Sequence, residues 1–136
     1  MMERPARIYI AGPISNGGTL PHEAQRLHVE EACRVAGELL RRGYVPFVPH
    51  LTWYWAQLIG ADGPADWSLW VERYDPEWLR HCDALLRLPG ESKGAELECE
   101  EMLGLGRCIF ESREDLYANM APTIRCSLES DEITEP

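Results

Sequence analysis

The sequence predicts an α/β fold in which a parallel sheet is covered by helices on both faces. Short apolar runs rich in strand-forming residues alternate along the chain with longer segments whose apolar residues recur at helical spacing. Strands that alternate with helices pair in parallel, because each helix carries the chain back to the same end of the sheet. At 136 residues the chain has the size of one ordinary domain.

The first half of the chain contains two predicted strands and one helix. Residues 8–11 form a short apolar run, and the glycine-rich residues 12–18 follow it as a turn. A helical pattern begins at Pro21 and ends at the basic residues before Gly43, which suits the helix dipole and a glycine C-cap. Residues 44–49 predict a second strand, and its prolines indicate an edge position.

The second half continues the alternation. Residues 67–82 predict one or two helices, with Asp75 capping a second piece that has Pro76 at its first position. A third strand over residues 83–88, a helix that begins near Ser92, a fourth strand over residues 107–110 and a last helix from Ser112 follow.

Two segments lack a clear period. Residues 50–66 are predicted to form an aromatic loop, which either packs over the core or floors a ligand pocket. From residue 121 onward the periodicity fades. We therefore expect a single domain over residues 1–120 and an acidic C-terminal tail over residues 121–136.

Composition excludes several classes of function. A formal net charge of -10 argues against binding to a nucleic acid polymer. The five cysteines are an odd number without C-x-x-C spacing, which is typical of reduced thiols in a cytoplasmic protein. The N-terminus does not resemble a signal peptide, and no apolar run reaches the roughly 20 residues that span a bilayer, so no membrane association is expected.

Three loops follow the carboxyl ends of the predicted strands, over residues 12–18, 48–55 and 89–94. In open parallel sheets ligands bind at this edge, so these loops define the predicted site. They contain neither G-x-G-x-x-G nor the Walker lysine motif, and the chain has no G-x-S-x-G nucleophile elbow. No histidine has metal-ligand spacing with a cysteine or carboxylate, so neither metal nor cofactor is predicted.

One carboxylate of the helix after the third strand faces its apolar side. At about 100° per residue, Glu98 falls on the arc that holds Ala95, Cys99, Met102, Leu103 and Leu105. A carboxylate there must be partnered, protonated or functional, because burying it bare costs several kcal/mol by order of magnitude. Glu98 is thus either a reactive group or a glutamate that pairs with a neighbouring helix.

Other candidates surround this position. Ser92 and Gly94 begin the helix, where free amides and the positive end of the dipole suit an oxygen-rich ligand. His50 follows the second strand and either contacts a ligand or lies on the surface. Asp83 opens the third strand, where an acid is usually a cap or a turn residue.

Three motifs occur in a familiar order: Tyr9-Ile10-Ala11-Gly12-Pro13-Ile14, then Asp83-Ala84-Leu85-Leu86, then Ser92-x-Gly94-x-x-x-Glu98. With them the chain resembles the nucleoside 2-deoxyribosyltransferase superfamily, in particular the small deoxyribosyltransferase-like proteins and the 2'-deoxynucleoside 5'-phosphate N-hydrolases. The resemblance covers residues 8–110. It implies a Rossmann-like, flavodoxin-like three-layer sandwich with four to five parallel strands, and a homodimer or larger homo-oligomer whose sites a neighbouring subunit completes.

The resemblance also implies roles for individual residues. Glu98 matches the nucleophile, Tyr9 the tyrosine near it, and Asp83 the aspartate that contacts the sugar or nucleobase and could protonate the leaving base. Ser92 matches the serine that contacts the 5'-phosphate in phosphate-dependent members. The remaining expected substrate-binding residues are Gly12, Ile14, Ser15, Asn16, His50 and Gly94.

The implied activity is cleavage or transfer of the (deoxy)ribosyl group of a nucleoside or nucleoside 5'-monophosphate through a covalent glycosyl-enzyme. The N-hydrolases carry a phosphate-binding arginine where this chain has Ser15 and Asn16, so the need for a 5'-phosphate stays open. Hydrolase and transferase are equally compatible with the sequence. The alternatives are a catalytically silent nucleotide-binding module and an acidic interaction protein.

Overall fold

A four-stranded parallel sheet forms the centre of the computed structural model, which describes residues 2–126. In chain order the strands are Met2–Pro5 (β1), Arg7–Ala11 (β2), Val45–Phe47 (β3), Ala84–Arg87 (β4), Cys108–Phe110 (β5) and Thr123–Cys126 (β6). The α-helices are His22–Arg41 (α1), Thr52–Ile59 (α2), Asp75–Leu79 (α3), Lys93–Gly104 (α4) and Arg113–Asn119 (α5). The central sheet has the order β3-β2-β4-β5, and the predicted α/β fold is confirmed.

This strand order creates a switch point between β2 and β4. The chain passes from β2 outward to β3 and then crosses back to β4, so the loops after β2 and β4 leave neighbouring strands in opposite directions. Ala11 lies opposite Arg87 in the register, and the Leu88 amide donates to the Ala11 carbonyl at 2.7 Å. Crevices of this kind are where open α/β sheets bind ligands.

Two separate cores show that helices cover both faces of the sheet. Side chains alternate along each strand, so successive residues of β2 enter different cores. Ile8 and Ile10 pack with Leu86, α1 and α5, whereas Tyr9 and Ala11 pack with Leu85 and the helices on the other face. The second core holds Tyr9, Ala11, Leu79, Cys82, Leu85, Ala95 and Met102. The fold therefore has three layers, as a Rossmann-like sandwich requires.

The loops after β2 and β4 pack tightly against each other at the switch point. A Cβ at Gly12 would lie 2.8 Å from Cβ of Leu88, and one at Gly90 would lie 2.9 Å from Cγ of Pro13. Gly90 also has a φ of +117°, which an L side chain rarely adopts. These glycines allow the two backbones to approach more closely than any larger residue would.

The aromatic segment is helical, which corrects the predicted loop over residues 50–66. A 3₁₀ turn over Pro49–Leu51 leads into α2, which ends at the left-handed Gly60. A π-helix over Leu69–Tyr74 runs directly into α3, so the predicted break at Asp75 is also wrong. Packing of large aromatic rings stabilises these short helices, because their intrinsic propensity alone would be marginal. Trp55, for example, packs edge-on against Trp70 and Tyr74.

The two ends of the described chain pair with each other. β1 and β6 form an antiparallel ladder, and the Ala6 amide donates to the Pro122 carbonyl at 2.7 Å. The predicted domain boundary at residue 120 is therefore wrong, because residues 123–126 belong to the folded body. Residues 127–136 of the predicted acidic tail lie outside the described residues. Within residues 2–126 no helix is both long and apolar enough to cross a membrane.

The close contact of the two loops yields a stability prediction. Gly90→Ala should lower the free energy of unfolding by roughly 1–3 kcal/mol, because the added methyl overlaps Pro13 and the φ angle becomes strained. Gly104→Ala is the matched control, since its Cβ would meet no atom within 4 Å, and it should raise stability by up to about 1 kcal/mol. Urea denaturation measures both, and equal midpoints for the two variants would contradict the packing argument.

Candidate active site

Glu98 and Tyr9 form the centre of the candidate site. Tyr9 is fully buried in β2, and its hydroxyl donates to Oε2 of Glu98 at 2.5 Å. Helix α4 packs against β2, β4 and β5, which brings the partly buried Glu98 over the central strands. The predicted proximity of these two residues is confirmed, whereas their catalytic roles stay predictions.

The predicted apolar face of α4 is narrower than expected. Ala95 and Met102 are buried on either side of Glu98, which confirms that this carboxylate is on the inner face. Leu103 and Leu105 are exposed, at 61% and 40%, because α4 contacts the sheet along one side only. No ion pair with Glu98 occurs among the described residues, so its pairing with a neighbouring helix is not observed.

Burial controls the protonation of this pair. It raises the pKa of Glu98 to about 7, although the hydrogen bond from Tyr9 and the charge of Arg87 act in the opposite direction. Burial, followed by the charge of Glu98, raises the pKa of Tyr9 well above its ordinary value. The tyrosine therefore stays a hydrogen-bond donor, and Glu98 changes between acid and carboxylate close to neutral pH.

Asp75 is a second buried carboxylate, for which the Asp75-Pro76 pair predicts only a helix cap. It is 4% exposed, and its Oδ1 has no hydrogen-bond partner in the described structure. Burial and then the charge of Glu98 raise the pKa of Asp75 to about 8. A signal was present in the sequence. Val71, Asp75 and Leu79 are spaced four apart, so Asp75 occupies a core-side helical position like that of Glu98.

The two carboxylates differ in their preferred protonation state. With a pKa of about 8, Asp75 holds its proton at neutral pH, while Glu98 with a pKa of about 7 loses its own more readily. Two carboxyl groups whose environments separate their pKa values can act as an acid and a nucleophile or base in one reaction. The arrangement can therefore supply one proton donor and one carboxylate to the same reaction.

Asp83 lies at the other end of the sheet, so its predicted place in the pocket is wrong. It precedes β4 and accepts hydrogen bonds from the Arg4 guanidinium at 2.7 and 2.8 Å and from the Arg7 amide at 2.8 Å. Although burial acts to raise the pKa of Asp83, these hydrogen bonds hold it below its usual range. A residue that opens a strand sits at the amino edge, whereas the candidate site is on the carboxyl side.

The predicted residues at the start of α4 are in place. Ser92 is buried, and its Oγ accepts a hydrogen bond from the Ala95 amide at 3.1 Å, which makes it the N-cap. Gly94 lies in the first turn beneath Val71 of the π-helix. The Lys93 and Gly94 amides precede the first hydrogen bonds of the helix, so they suit an oxygen-rich group.

The polar groups of the first loop mostly bond within the loop itself. Ser15 Oγ accepts from the Gly18 amide at 3.1 Å, and the Asn16 carbonyl accepts from the Thr19 hydroxyl at 2.8 Å. The Ile14 carbonyl accepts from Nδ1 of His28 at 2.9 Å. Across residues 2–126 no hydrogen bond joins Ser15, Asn16 or the backbone of Gly12 to Glu98.

His50 is buried at 1% exposure, so the alternative of a surface histidine is wrong. Burial lowers its pKa to about 4, against the opposing effect of the Gly12 and Pro13 backbone, and the ring is neutral at pH 7. The Gly12 and Pro13 backbone lies close enough to act on the ring, but neither ring nitrogen makes a well-formed hydrogen bond to a described residue. A neutral imidazole with an unpaired donor and acceptor below the first loop is suited to contact a polar ligand.

Two surface grooves flank the site without including its carboxylates. A groove of about 450 Å³ on the outer side of α3 is lined by Leu69, Trp70, Arg73, Tyr74, Glu77 and Trp78. A second groove of about 430 Å³ runs between α1 and the start of α5, with Pro13, His28, Leu88 and Ser112 among its lining residues. In the described part of the chain no cluster of three or more His, Cys, Asp or Glu side chains could hold a metal ion.

Comparison with protein-family models finds none that matches this chain, and comparison with curated proteins finds no match either. The resemblance to the deoxyribosyltransferase superfamily therefore stays a prediction. The functional argument depends on the geometry of Tyr9, Asp75 and Glu98.

Asp75 gives the site a pH-dependent cost in stability. The pKa of Asp75 rises from about 4 in the unfolded chain to about 8 in the fold. Between these values the folded protein holds a proton that the unfolded chain has lost, so the free energy of unfolding decreases as pH rises through this window. Asp75→Asn should therefore gain stability relative to wild type between pH 5 and pH 8.5, by roughly 4 kcal/mol. Urea denaturation at both pH values measures it. Glu77→Gln, an exposed carboxylate of the same helix, is the control, and a pH-independent difference for Asp75→Asn would refute the argument.

Proposed function

We propose that this protein is an N-glycosidic-bond enzyme that cleaves or transfers the (deoxy)ribosyl group of a nucleoside or nucleoside 5'-monophosphate. The observation that carries this proposal is the hydrogen bond from Tyr9 to Glu98 beside the buried, unpartnered oxygen of Asp75. It supports a reactive carboxylate, Glu98, held in one orientation. Asp75 is close enough for the charge of Glu98 to raise its pKa, so it stays protonated.

The chemistry proceeds in two steps. A carboxylate oxygen of Glu98 bonds to the anomeric carbon while the bond from that carbon to the nucleobase nitrogen breaks, and Asp75 gives its proton to the leaving base. Water or a second base then attacks the same carbon, which releases Glu98, and the Asp75 carboxylate takes up the proton of the attacking group. Two inversions give net retention of configuration.

Asp75 takes the role of proton donor in this proposal. Its pKa of about 8 keeps it protonated at neutral pH, whereas Asp83 is held as a carboxylate by Arg4 at the opposite edge. Tyr9 orients Glu98 and satisfies one carboxylate oxygen without protonating it. The other oxygen is then the one available for attack.

The binding groups around this centre suit the polar parts of a nucleoside. Ser92 and the first turn of α4 offer a hydroxyl and backbone amides for a sugar or phosphate oxygen. His50 offers unpaired ring nitrogens near Gly12. As the resemblance implies, we further propose a homodimer or larger homo-oligomer in which a neighbouring subunit completes the pocket. Neither of the two grooves described above contains Glu98, which is compatible with such an assembly.

A base-release assay tests the activity. Incubation with a panel of deoxynucleosides and deoxynucleotides, with and without an acceptor base, should release free base, and Glu98→Gln should reduce the rate by about 10³-fold or more. Asp83→Asn is the control, and it should retain most of the activity because Asp83 lies at the other edge of the sheet. Ligand binding without base release from any substrate would instead favour a catalytically silent nucleotide-binding module.

The pH dependence tests the assignment of the two carboxylates. Because Glu98 must be ionised and Asp75 protonated, kcat/KM should be bell-shaped, with limbs near pH 7 and pH 8 that belong to the coupled pair. Asp75→Asn should lower kcat/KM by about 10²–10⁴-fold for substrates with poor leaving bases and remove the alkaline limb. An unchanged alkaline limb in this variant would show that another group donates the proton.

A further inference from the structure

Arg87 is a charged residue at the carboxyl edge that the reaction described above does not use. It is the last residue of β4 and lies opposite Ala11 of β2. Leu85, two residues earlier, packs in the core beneath α4 together with Tyr9. Side chains two apart on a strand share one face, so the Arg87 side chain leaves β4 on the face that carries Glu98, and the residue also lines the groove of about 430 Å³ at this edge.

The guanidinium of Arg87 holds the turn between β4 and α4. Nη1 donates to the Leu88 carbonyl, and Nη2 donates to the Gly90 carbonyl at 2.9 Å. Gly90 is in a left-handed conformation and lies against Pro13, so this turn has a shape that the backbone alone does not favour. The same turn leads directly to Ser92, the N-cap of α4.

Arg87 also contributes positive charge near the candidate nucleophile. The groups that act on Glu98 are Tyr9 from β2, Asp75 from α3, Glu101 from α4 itself and Arg87 from β4. Within residues 2–126 Arg87 is the cation of this set, and it acts against burial to lower the pKa of Glu98. Burial raises the pKa of the neighbouring Cys99 thiol, and the charge of Arg87 acts against that rise as well.

We propose that Arg87 is a positioning residue for Glu98: one guanidinium fixes the turn that places Ser92 and sets a positive charge on the face of the sheet that carries Glu98. This inference rests on the proposed function. It goes further in assigning both tasks, the shape of the turn and the charge state of the nucleophile, to one side chain. Loss of Arg87 would therefore affect binding and ionisation together.

The two tasks can be separated by substitution. Arg87→Gln keeps a hydrogen-bond donor but removes the charge. Arg87→Lys keeps the charge but loses the planar fork that reaches both carbonyls. If Arg87 only clamps the turn, the two variants should leave the ionisation of Glu98 unchanged. If it also acts through its charge, only the glutamine variant should change that ionisation.

The direct test is a titration of the Glu98 carboxyl by ¹³C NMR on the full chain, with the resonance assigned through Glu98→Gln. Arg87→Gln should raise the titration midpoint by about 0.5–1 pH unit, and Arg87→Lys should stay within about 0.3 unit of wild type. The matched control is Arg107→Gln. Arg107 likewise donates to backbone carbonyls, those of Arg80 and Cys82, but it is not among the groups that act on Glu98.

The titration needs no substrate, so its result is independent of whether the protein cleaves glycosidic bonds. An unchanged midpoint in folded Arg87→Gln overturns the inference and leaves the proposed function standing. Absence of base release from wild type, with the midpoint shifted as expected, overturns the proposed function instead.

A second measurement covers the case in which Arg87→Gln does not fold. Arg87→Lys should show faster amide hydrogen exchange at Glu91 and Ser92 with a midpoint close to wild type, since the turn is loosened and the charge is kept. A midpoint raised by 0.5 pH unit or more in Arg87→Lys, or unchanged exchange in the turn, would overturn the inference. In the base-release assay the same variant should raise KM and leave the acidic limb of kcat/KM in place.

Discussion

The hydrogen bond between Tyr9 and Glu98 joins the central strand to the helix that covers it. Both groups are removed from bulk water, so each would cost several kcal/mol if it stood alone, and each satisfies the other. Tyr9 is also stacked on Phe47, with ring centroids 5.5 Å apart, which limits the positions that its hydroxyl can take. The position of α4 on the sheet therefore depends on a polar contact as well as on the packing of Met102 and Ala95.

Asp75 shows that the site is arranged against local stability. An asparagine or an apolar residue at this position carries no charge. It would therefore avoid both the cost of burying a charge and the repulsion between two carboxylates. The apolar cluster around Leu79 and Leu85 offsets that cost. A carboxyl group kept protonated by burial is able to donate a proton, which is the role that the proposed reaction requires of Asp75.

Glu98 could be found from the sequence because helical spacing placed it between core residues, and the same reasoning applies to Asp75. The Asp-Pro pair concealed it, since a proline at the first helical position suggests a helix start with an acid as its cap. Asp83 was misplaced although strand polarity alone assigns the opening residue of a parallel strand to the amino edge. The pairing of β1 with β6 had no such signal, because four-residue strands more than a hundred residues apart leave no periodic pattern.

A row of aromatic rings connects the surface of α3 with the hydrogen bond of Glu98. Trp78 of α3 stacks on Phe47 of the edge strand β3, and Phe47 stacks on Tyr9, so a continuous row of rings extends from the exposed surface to the hydrogen bond of Glu98. Trp78 is 48% exposed, and the rings behind it are progressively more buried. Of the two alternatives for residues 50–66, packing is observed, with Trp53 against Tyr54 and Trp55 against Trp70, whereas a ligand pocket stays a prediction. Burial is the largest cause of the raised pKa of both Asp75 and Glu98. Because the row of rings ends at Tyr9, whose hydroxyl donates to Glu98, it contributes to the burial of the Glu98 carboxyl.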